Sequence, residues 1–499
     1  MIKEDVIMKR SSVVILALVS LMVFYFGYEL VFIFPMLPPG AFWLNAFLIG
    51  FEILTATFSI YLYHSIFATL EWPALSYRSG KKPFVSIHIP VYNETMGVLK
   101  KTVDGIKTQD YPKDRYEIII ADDSTNMNFL RKLERFCKAS GIKLVHRSHR
   151  RGYKAGALNE ALKHSRGDAV AVLDADDVPE SMFLDHAVST LYSGRKIAFV
   201  QTRNIERNQN VNAITGIGSM VRDLFFGAIM KSKDARKLSI FCGSGGVVRS
   251  KILKRMGGWP EDTVTEDIDL STKIFSKGLY SKYINPAGCK GLLPVSFTGL
   301  CGQTFRWSYG TTRTFLLRWR ETLRIPGVFR KIEHFLSLMT YFLGPAIIGI
   351  DIIMIIHLTY KIPIFHIYEI KTFWLFGAIF TLSSFFALLF VQVKDKNVSI
   401  KRIITYMLAI YGLSLNFTLG VASAIAGRRL AFFRTPRGAR KKDYKKIAAR
   451  YWPETLLGSV SMAAGLLNLL DPLYAAQAGW AILFGAGFLS APYLAFRYG

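Results

Sequence analysis

Five short patches between residues 90 and 307 have the residue types and spacing of one active site. They are Asp122-Asp123-Ser124, Lys154-Ala155-Gly156, Asp174-Ala175-Asp176, Thr265-Glu266-Asp267 and Gln303-Thr304-Phe305-Arg306-Trp307. Asp174 and Asp176 stand two apart after an apolar β run, so both carboxylates can turn toward one ligand pocket. Oxygen-only ligation suits Mg2+ or Mn2+, which also binds substrate phosphates. A carboxylate of the Asp122-Asp123 pair can accept hydrogen bonds from a base or a ribose. Lys154 opens a helix after Arg150, Arg151 and Gly152, and a helix N-terminus beside cations favours phosphate. Asp267 at its ordinary pKa is ionised and can serve as a general base. Arg306 can grip a diphosphate bidentately, and Trp307 offers a flat apolar face that suits the C–H face of a sugar ring.

Each patch also has a bland reading. Asp-rich turns are commonly just solvated. Asp122-Asp123 is a candidate helix cap, and Thr265 a candidate cap of an acidic helix start. Arg306 and Trp307 would also anchor an amphipathic helix at a membrane surface. The ordered set, rather than any member, points to an anionic, metal-bound, nucleotide-like substrate. The Gly-rich run Cys242-Gly-Ser-Gly-Gly246 lacks a following Gly-Lys-Ser/Thr, so it is no P-loop. It is either a tight turn or a place where backbone approaches an acceptor.

The elements that must position these patches alternate strand and helix. Residues 84–90, 117–123, 143–148 and 169–176 are β-rich runs, with helical stretches such as 128–140 and 154–164 between them. That order predicts a parallel α/β sheet. The acidic patches end its second and fourth strands, the edge where open α/β sheets bind ligands.

The chain has 499 residues, of which 51% are hydrophobic, more than an ordinary soluble protein carries. The apolar residues gather near both ends. Residues 11–35, 42–64, 335–358, 372–393, 453–470 and 474–496 are read as membrane spans. The segment 304–333 is aromatic, basic and amphipathic, and is read as interfacial helices. A crossing at 403–427 would put the very basic stretch 427–446 outside, against the positive-inside tendency, so 403–427 is read as interfacial or re-entrant. The same tendency places the insert on the cytoplasmic side. The net charge of +27 suits an anionic substrate and anionic membrane lipids; no basic recognition module points to nucleic acid. None of the four cysteines forms a Cys-x-x-Cys pair, which argues against zinc and redox chemistry.

Together, the residues from Pro90-Val-Tyr-Asn-Glu94 through Trp307, extended by Phe432-Phe-Arg-Thr-Pro-Arg-Gly438, resemble the processive membrane β-glycosyltransferases of glycosyltransferase family 2. These include cellulose, hyaluronan and mannan or glucomannan synthases. The resemblance implies a GT-A-like α/β cytoplasmic domain (81–303) inserted between transmembrane α-helices. Two would lie in 1–80 and the rest in 334–499, with a gating-like loop at 428–447. It implies that Asp122 holds the nucleotide, Asp174 and Asp176 the metal and diphosphate, and that Lys154 lies near the diphosphate. Asp267 would be the base, with Glu266 beside the acceptor. Gln303 and Arg306 would face phosphate, and Trp307 the terminal sugar. Phe432, Thr435 and Arg437 would belong to the gating loop, where Arg434 and Arg437 stand in place of the family's Val and Lys. The implied reaction is inverting polymerisation of a UDP- or GDP-sugar into a β-linked polysaccharide, with translocation of the product across the membrane. The implied cofactor is Mg2+ or Mn2+, and the implied location the plasma membrane. Two alternatives stay open: transfer to a lipid acceptor such as a polyprenyl phosphate or a ceramide-like molecule, and a non-enzymatic transporter. No regulatory module for cyclic-dinucleotide control is visible.

Overall fold

Eight strands form one mixed sheet in the order β3-β2-β1-β4-β7-β6-β8-β5. In this computed structural model the described residues are 2–70, 72, 80–367, 379, 382–394, 399–428, 430 and 443–499. The strands are β1 Val85–Val91, β2 Tyr116–Asp122, β3 Lys143–His146, β4 Ala169–Val172, β5 Val178–Pro179, β6 Ile197–Glu206, β7 Gly246–Arg249 and β8 Tyr280–Gly291. β3, β2, β1 and β4 run parallel, as the strand-helix alternation predicts. β7 then pairs antiparallel with both β4 and β6. The sheet is therefore mixed rather than wholly parallel. Every residue of β4 is buried, because helices cover both faces. Its Ala-Val-Ala-Val sequence can meet that demand only with apolar side chains.

Among the described residues, six helices are long and apolar enough to cross a membrane: Ile15–Met36, Pro39–Leu70, Ala213–Ala235, Val328–Tyr360, Ile400–Ile425 and Ala475–Tyr498. The chain is an integral membrane protein. Four of the six match expected spans. Of the expected span 372–393, residues 379 and 382–393 are described, and Ser383–Lys394 is a helix. The expected span 453–470 is the helix Trp452–Asn468, about 25 Å long at 1.5 Å per residue. It packs tightly on Ala475–Tyr498. A Cβ on Gly458 or Gly465 would strike backbone of that neighbour at 3.0 and 2.8 Å. Small residues that allow such approach are the usual means of joining helices in lipid.

The amphipathic region begins earlier than expected. Gln303 to Trp307 lie inside one helix, Phe297–Leu323, which kinks at Arg318. Gly327, at φ 89°, then turns the chain into a second helix, Val328–Met339. Trp319, Leu323, Val328, Phe329 and Ile332 are exposed along this pair, as an interfacial surface requires.

One apolar core joins the domain to the bundle. Ile214 and Ile217, Phe297 and Leu300, Ile403 and Leu413, and Leu494 all belong to it. Each fully buried large side chain of this kind contributes about 1.5–3 kcal/mol. Asn416 donates to the Cys301 carbonyl and to Thr304 Oγ1, both at 2.9 Å. Gly420 lies against Ser308 and the Phe305 carbonyl, where a side chain would not fit. The helix that carries Gln303 to Trp307 is thus clamped to Ile400–Ile425.

Candidate active site

At the carboxyl end of β2, two adjacent aspartates take opposite roles. Asp122 is fully buried. One of its oxygens meets His146 Nδ1 at 2.7 Å and the other accepts from Ser124 Oγ at 2.6 Å. Asp123 borders a large cavity and is gripped by Arg147, whose Nε and Nη2 donate at 2.7 and 2.6 Å. Asp122, expected to hold the nucleotide, is not among the residues that line this cavity. The carboxylate on the cavity is Asp123, and Asp122 is consumed in holding the strand end. Arg150, which lies 3.5 Å over the ring of Tyr92, lines the same end of the cavity. Spacing singled out neither Arg147 nor Tyr92, because both contacts join separate strands.

Past β4 the chain turns through Asp174-Ala175-Asp176-Asp177, and all four residues line the cavity. The Asp174 N–H donates to Ser244 Oγ at 2.9 Å, and Ser244 in turn donates to Asp177. Burial, with Asp176 and Asp174 close by, pushes the Asp177 carboxyl up to about 8. Arg207 Nη2 donates to the Asp176 carbonyl at 2.7 Å and fixes the turn from behind. The donor set at Asp174 and Asp176 is oxygen-only and sits on the cavity wall, which fits a hard divalent cation shared with phosphate oxygens. Among the described residues no three His, Cys, Asp or Glu side chains form a metal cage by themselves.

Lys154 lies in the first turn of the helix Tyr153–Lys163. Its Nζ donates to Asp174 Oδ1 at 2.7 Å and to the Gly243 carbonyl at 2.9 Å, and stands 3.7 Å from Glu266 Oε1. Burial pulls the ammonium toward neutrality. The carboxylates of Asp174, Glu266 and Asp267 more than reverse that, so Lys154 stays charged.

Glu266 and Asp267 begin the helix Glu266–Ser276. Thr265 precedes them but its side chain makes no cap hydrogen bond; it faces Thr314 Oγ1 at 3.3 Å instead. Asp267 accepts from the Ile268 N–H at 2.9 Å. Burial first, and then the charge of Glu266, raise its carboxyl to about 7 against the pull of Lys154. The Gly-rich run serves this pair. Gly243 has φ 76°, and a Cβ there would come within 3.0 Å of Asp267 Oδ2 and 3.2 Å of Lys154 Nζ.

Gln303, Arg306 and Trp307 also line the cavity, from the helix Phe297–Leu323. So do Glu266 and Asp267. Phe432, Thr435 and Arg437 of the expected gating loop lie outside the described residues. The cavity has a volume of about 720 Å³ and does not stop at Trp307. It continues along Tyr341, Ile347, Tyr411 and Phe484 to Glu52, which pairs with His366 at 3.0 Å. Glu52 stands 18 residues before the end of Phe42–Leu70. At 1.5 Å per residue Glu52 therefore lies about 27 Å along this helix from Leu70.

Residues 86–257 match the family model described as glycosyl transferase family 2. The chain is 31% identical over 241 residues to a cellulose synthase catalytic subunit (UDP-forming) of Pseudomonas fluorescens, a match covering 47% of this chain and 32% of that one. It is 35% identical over 242 residues to a probable glucomannan 4-β-mannosyltransferase of Oryza sativa subsp. japonica, covering 47% and 42%. The chain thus spans less than half the length of these curated relatives. A mannosyltransferase from Pyrobaculum calidifontis, solved with GDP-Man and Mn2+, superposes with a TM-score of 0.54 at 20% identity, covering 77% of this chain and all of that one. That likeness establishes a GT-A-like fold. The central part of this chain, residues 86–257, is thus similar to glycosyl transferase family 2.

Proposed function

We propose that this protein is an inverting glycosyltransferase that polymerises sugar from a nucleoside-diphosphate donor into a β-linked polysaccharide and passes the product through its own helical bundle. One observation carries the reading. Asp123, Lys154, Asp174, Asp176, Asp267, Arg306 and Trp307 border a single cavity that runs on between the helices as far as Glu52.

In this reading Asp123 and Arg150 receive the nucleoside, and Lys154 and Arg306 the diphosphate. Asp174 and Asp176 would hold the divalent cation, a role supported by their oxygen-only donor set and by the Mn2+ and GDP-Man of the structurally similar mannosyltransferase. When bound there, Mg2+ or Mn2+ supplies positive charge to the departing diphosphate. Trp307 supports the terminal sugar of the acceptor, and Gln303 lies one turn away. Asp267 takes the proton of the attacking hydroxyl as that oxygen bonds the anomeric carbon and the diphosphate leaves from the opposite face. Holding both substrates against one wall makes the reaction nearly intramolecular.

The catalytic domain is placed on the cytoplasmic side of the plasma membrane, facing the nucleotide-sugar supply. The helix Ile400–Ile425 is read as interfacial, although long enough to cross. Arg402 Nη2 donates to Asn210 at 3.0 Å, and the Arg428 carbonyl accepts from Tyr309 at 2.5 Å. Both ends therefore touch elements of the catalytic side, which keeps the expected gating loop with the site.

The test is to incubate the purified protein with labelled sugar nucleotides and Mg2+ or Mn2+. A high-molecular-weight product degraded by a β-glycan hydrolase supports polymerisation. A lipid-extractable product of one or two sugars sinks it in favour of lipid transfer. Asp267→Asn protein that transfers sugar at the wild-type rate removes the base assignment.

A further inference from the structure

The apolar helix Ala213–Leu224 carries one arginine onto the cavity wall. Arg222 keeps 24% of its side chain accessible, and it lines the cavity beside Asp176 and Asp177. Its one ion-pair partner among the described residues is Glu206, at 3.0 Å. Glu206 is buried and stands behind it, outside the lining. The contact, through Nε, lacks hydrogen-bond geometry, so Nε has no hydrogen-bond partner among the described residues. Two residues before Glu206, on the same face of β6, lies Asn204. It also lines the cavity and is only 6% exposed, and its Oδ1 has no hydrogen-bond partner among the described residues. That oxygen lies against Gly245, at φ 68°, where any side chain would clash with it. A buried amide oxygen without a partner is costly unless something else meets it.

The pair offers N–H donors on a fixed fork and an amide that can donate and accept. Local charge limits what it can meet. Arg222 already has the carboxylate of Glu206, and that of Asp176 lies within electrostatic reach. A further anion would add to an excess of negative charge, whereas hydroxyl oxygens would not. We propose that Arg222 and Asn204 form the subsite that holds the hydroxyls of a neutral hexosyl group at the reaction centre, and that they set specificity for it. This rests on the glycosyltransferase reading. The subsite lies next to the metal-binding turn but takes the sugar rather than the phosphates. A sugar lacking the matched hydroxyl would leave Asn204 and Arg222 unpaired, which is how such sites discriminate.

The experiment uses full-length protein in nanodiscs with Mn2+, nucleoside-diphosphate hexoses, their deoxy analogues and a nucleoside-diphosphate hexuronate. Arg222→Lys keeps the charge and loses the fork; Arg222→Ala and Asn204→Ala remove each donor set. The expected result is a fall of about 10- to 100-fold in kcat/KM for the hexose donor in each variant. Affinity for the free nucleoside diphosphate should change less than about twofold, and discrimination against one deoxy analogue should shrink. If Arg222→Ala does not fold, Arg222→Lys and Asn204→Ala carry the same expectation. Unchanged hexose kinetics in these variants overturn the proposal. So does a parallel loss of nucleotide affinity, or a wild-type preference for the hexuronate. Wild-type protein that turns over no donor at all removes the glycosyltransferase reading as well, so the two failures are distinct.

Discussion

Lys154 hydrogen-bonds Asp174 at 2.7 Å while standing 3.7 Å from Glu266, so a single ammonium ties the turn after β4 to the start of the helix Glu266–Ser276, which carries the proposed base Asp267. Removing one partner of a buried charged set leaves the rest uncompensated. The lysine therefore has a structural and an electrostatic role at the same point.

Lys154→Met keeps the length of the side chain and removes the charge. It is expected to lower kcat/KM by about 10²–10³-fold, the size seen when one preorganised electrostatic donor is lost. The apparent affinity for the nucleoside diphosphate should fall with it. Steady-state kinetics and competition by free nucleotide test this. Nucleotide affinity left intact would place Lys154 outside the diphosphate site.

The pH profile follows from Asp267. Its carboxyl is raised to about 7 by burial and then by Glu266, with Lys154 opposing. A general base works only when ionised, so kcat/KM should rise with pH and level off above an acid limb near 7. Glu266→Gln removes a negative neighbour, makes ionisation easier and should move that limb to lower pH. Lys154→Met removes the opposing cation and should move it higher. A limb that stays put in both variants would mean that another group titrates.

Much of the site was legible before the fold was. β1 to β4 are short apolar runs, of which β2 and β4 lead into acid, and that pattern needs no tertiary information. The contents of β5 to β8 were not legible. β5 is two residues long, and β7 is a Gly-Val-Val-Arg run whose strand character comes from β4 and β6 on either side. The choice between Asp122 and Asp123 is of the same kind. Spacing marks the pair, but the pleat of β2 and the reach of Arg147 from just beyond β3 decide which one meets the cavity. Arg222 was hidden because its partner Glu206 lies on a different element, and a lone arginine in an apolar run reads as an anchor.

That division predicts opposite phenotypes for two adjacent residues. Asp122→Asn should weaken the link to His146 and lower stability by about 1–3 kcal/mol, the range for a lost buried hydrogen bond to a charged group. Its nucleotide affinity should change little once the protein is folded. Asp123→Asn should retain the strand end but loosen Arg147 and reduce nucleotide affinity. Thermal melts and nucleotide titrations on both variants separate the roles. The reverse pattern would restore Asp122 as the nucleotide ligand.

The path of the chain through the membrane turns on Ile400–Ile425. Its length and apolar character would let it cross. Its two ends are nevertheless tied to Asn210 and Tyr309, which sit on the catalytic side. A helix that spanned about 30 Å of hydrocarbon could not satisfy both contacts on one side of the bilayer. Single cysteines introduced at Lys401 and at Ala426 should therefore behave alike. In intact cells a membrane-impermeant maleimide should label neither, and after permeabilisation it should label both. Labelling of only one from outside would make this helix a true crossing. It would then place the basic segment from Arg428 onward across the membrane from Trp307, beyond reach of the site it is expected to cover.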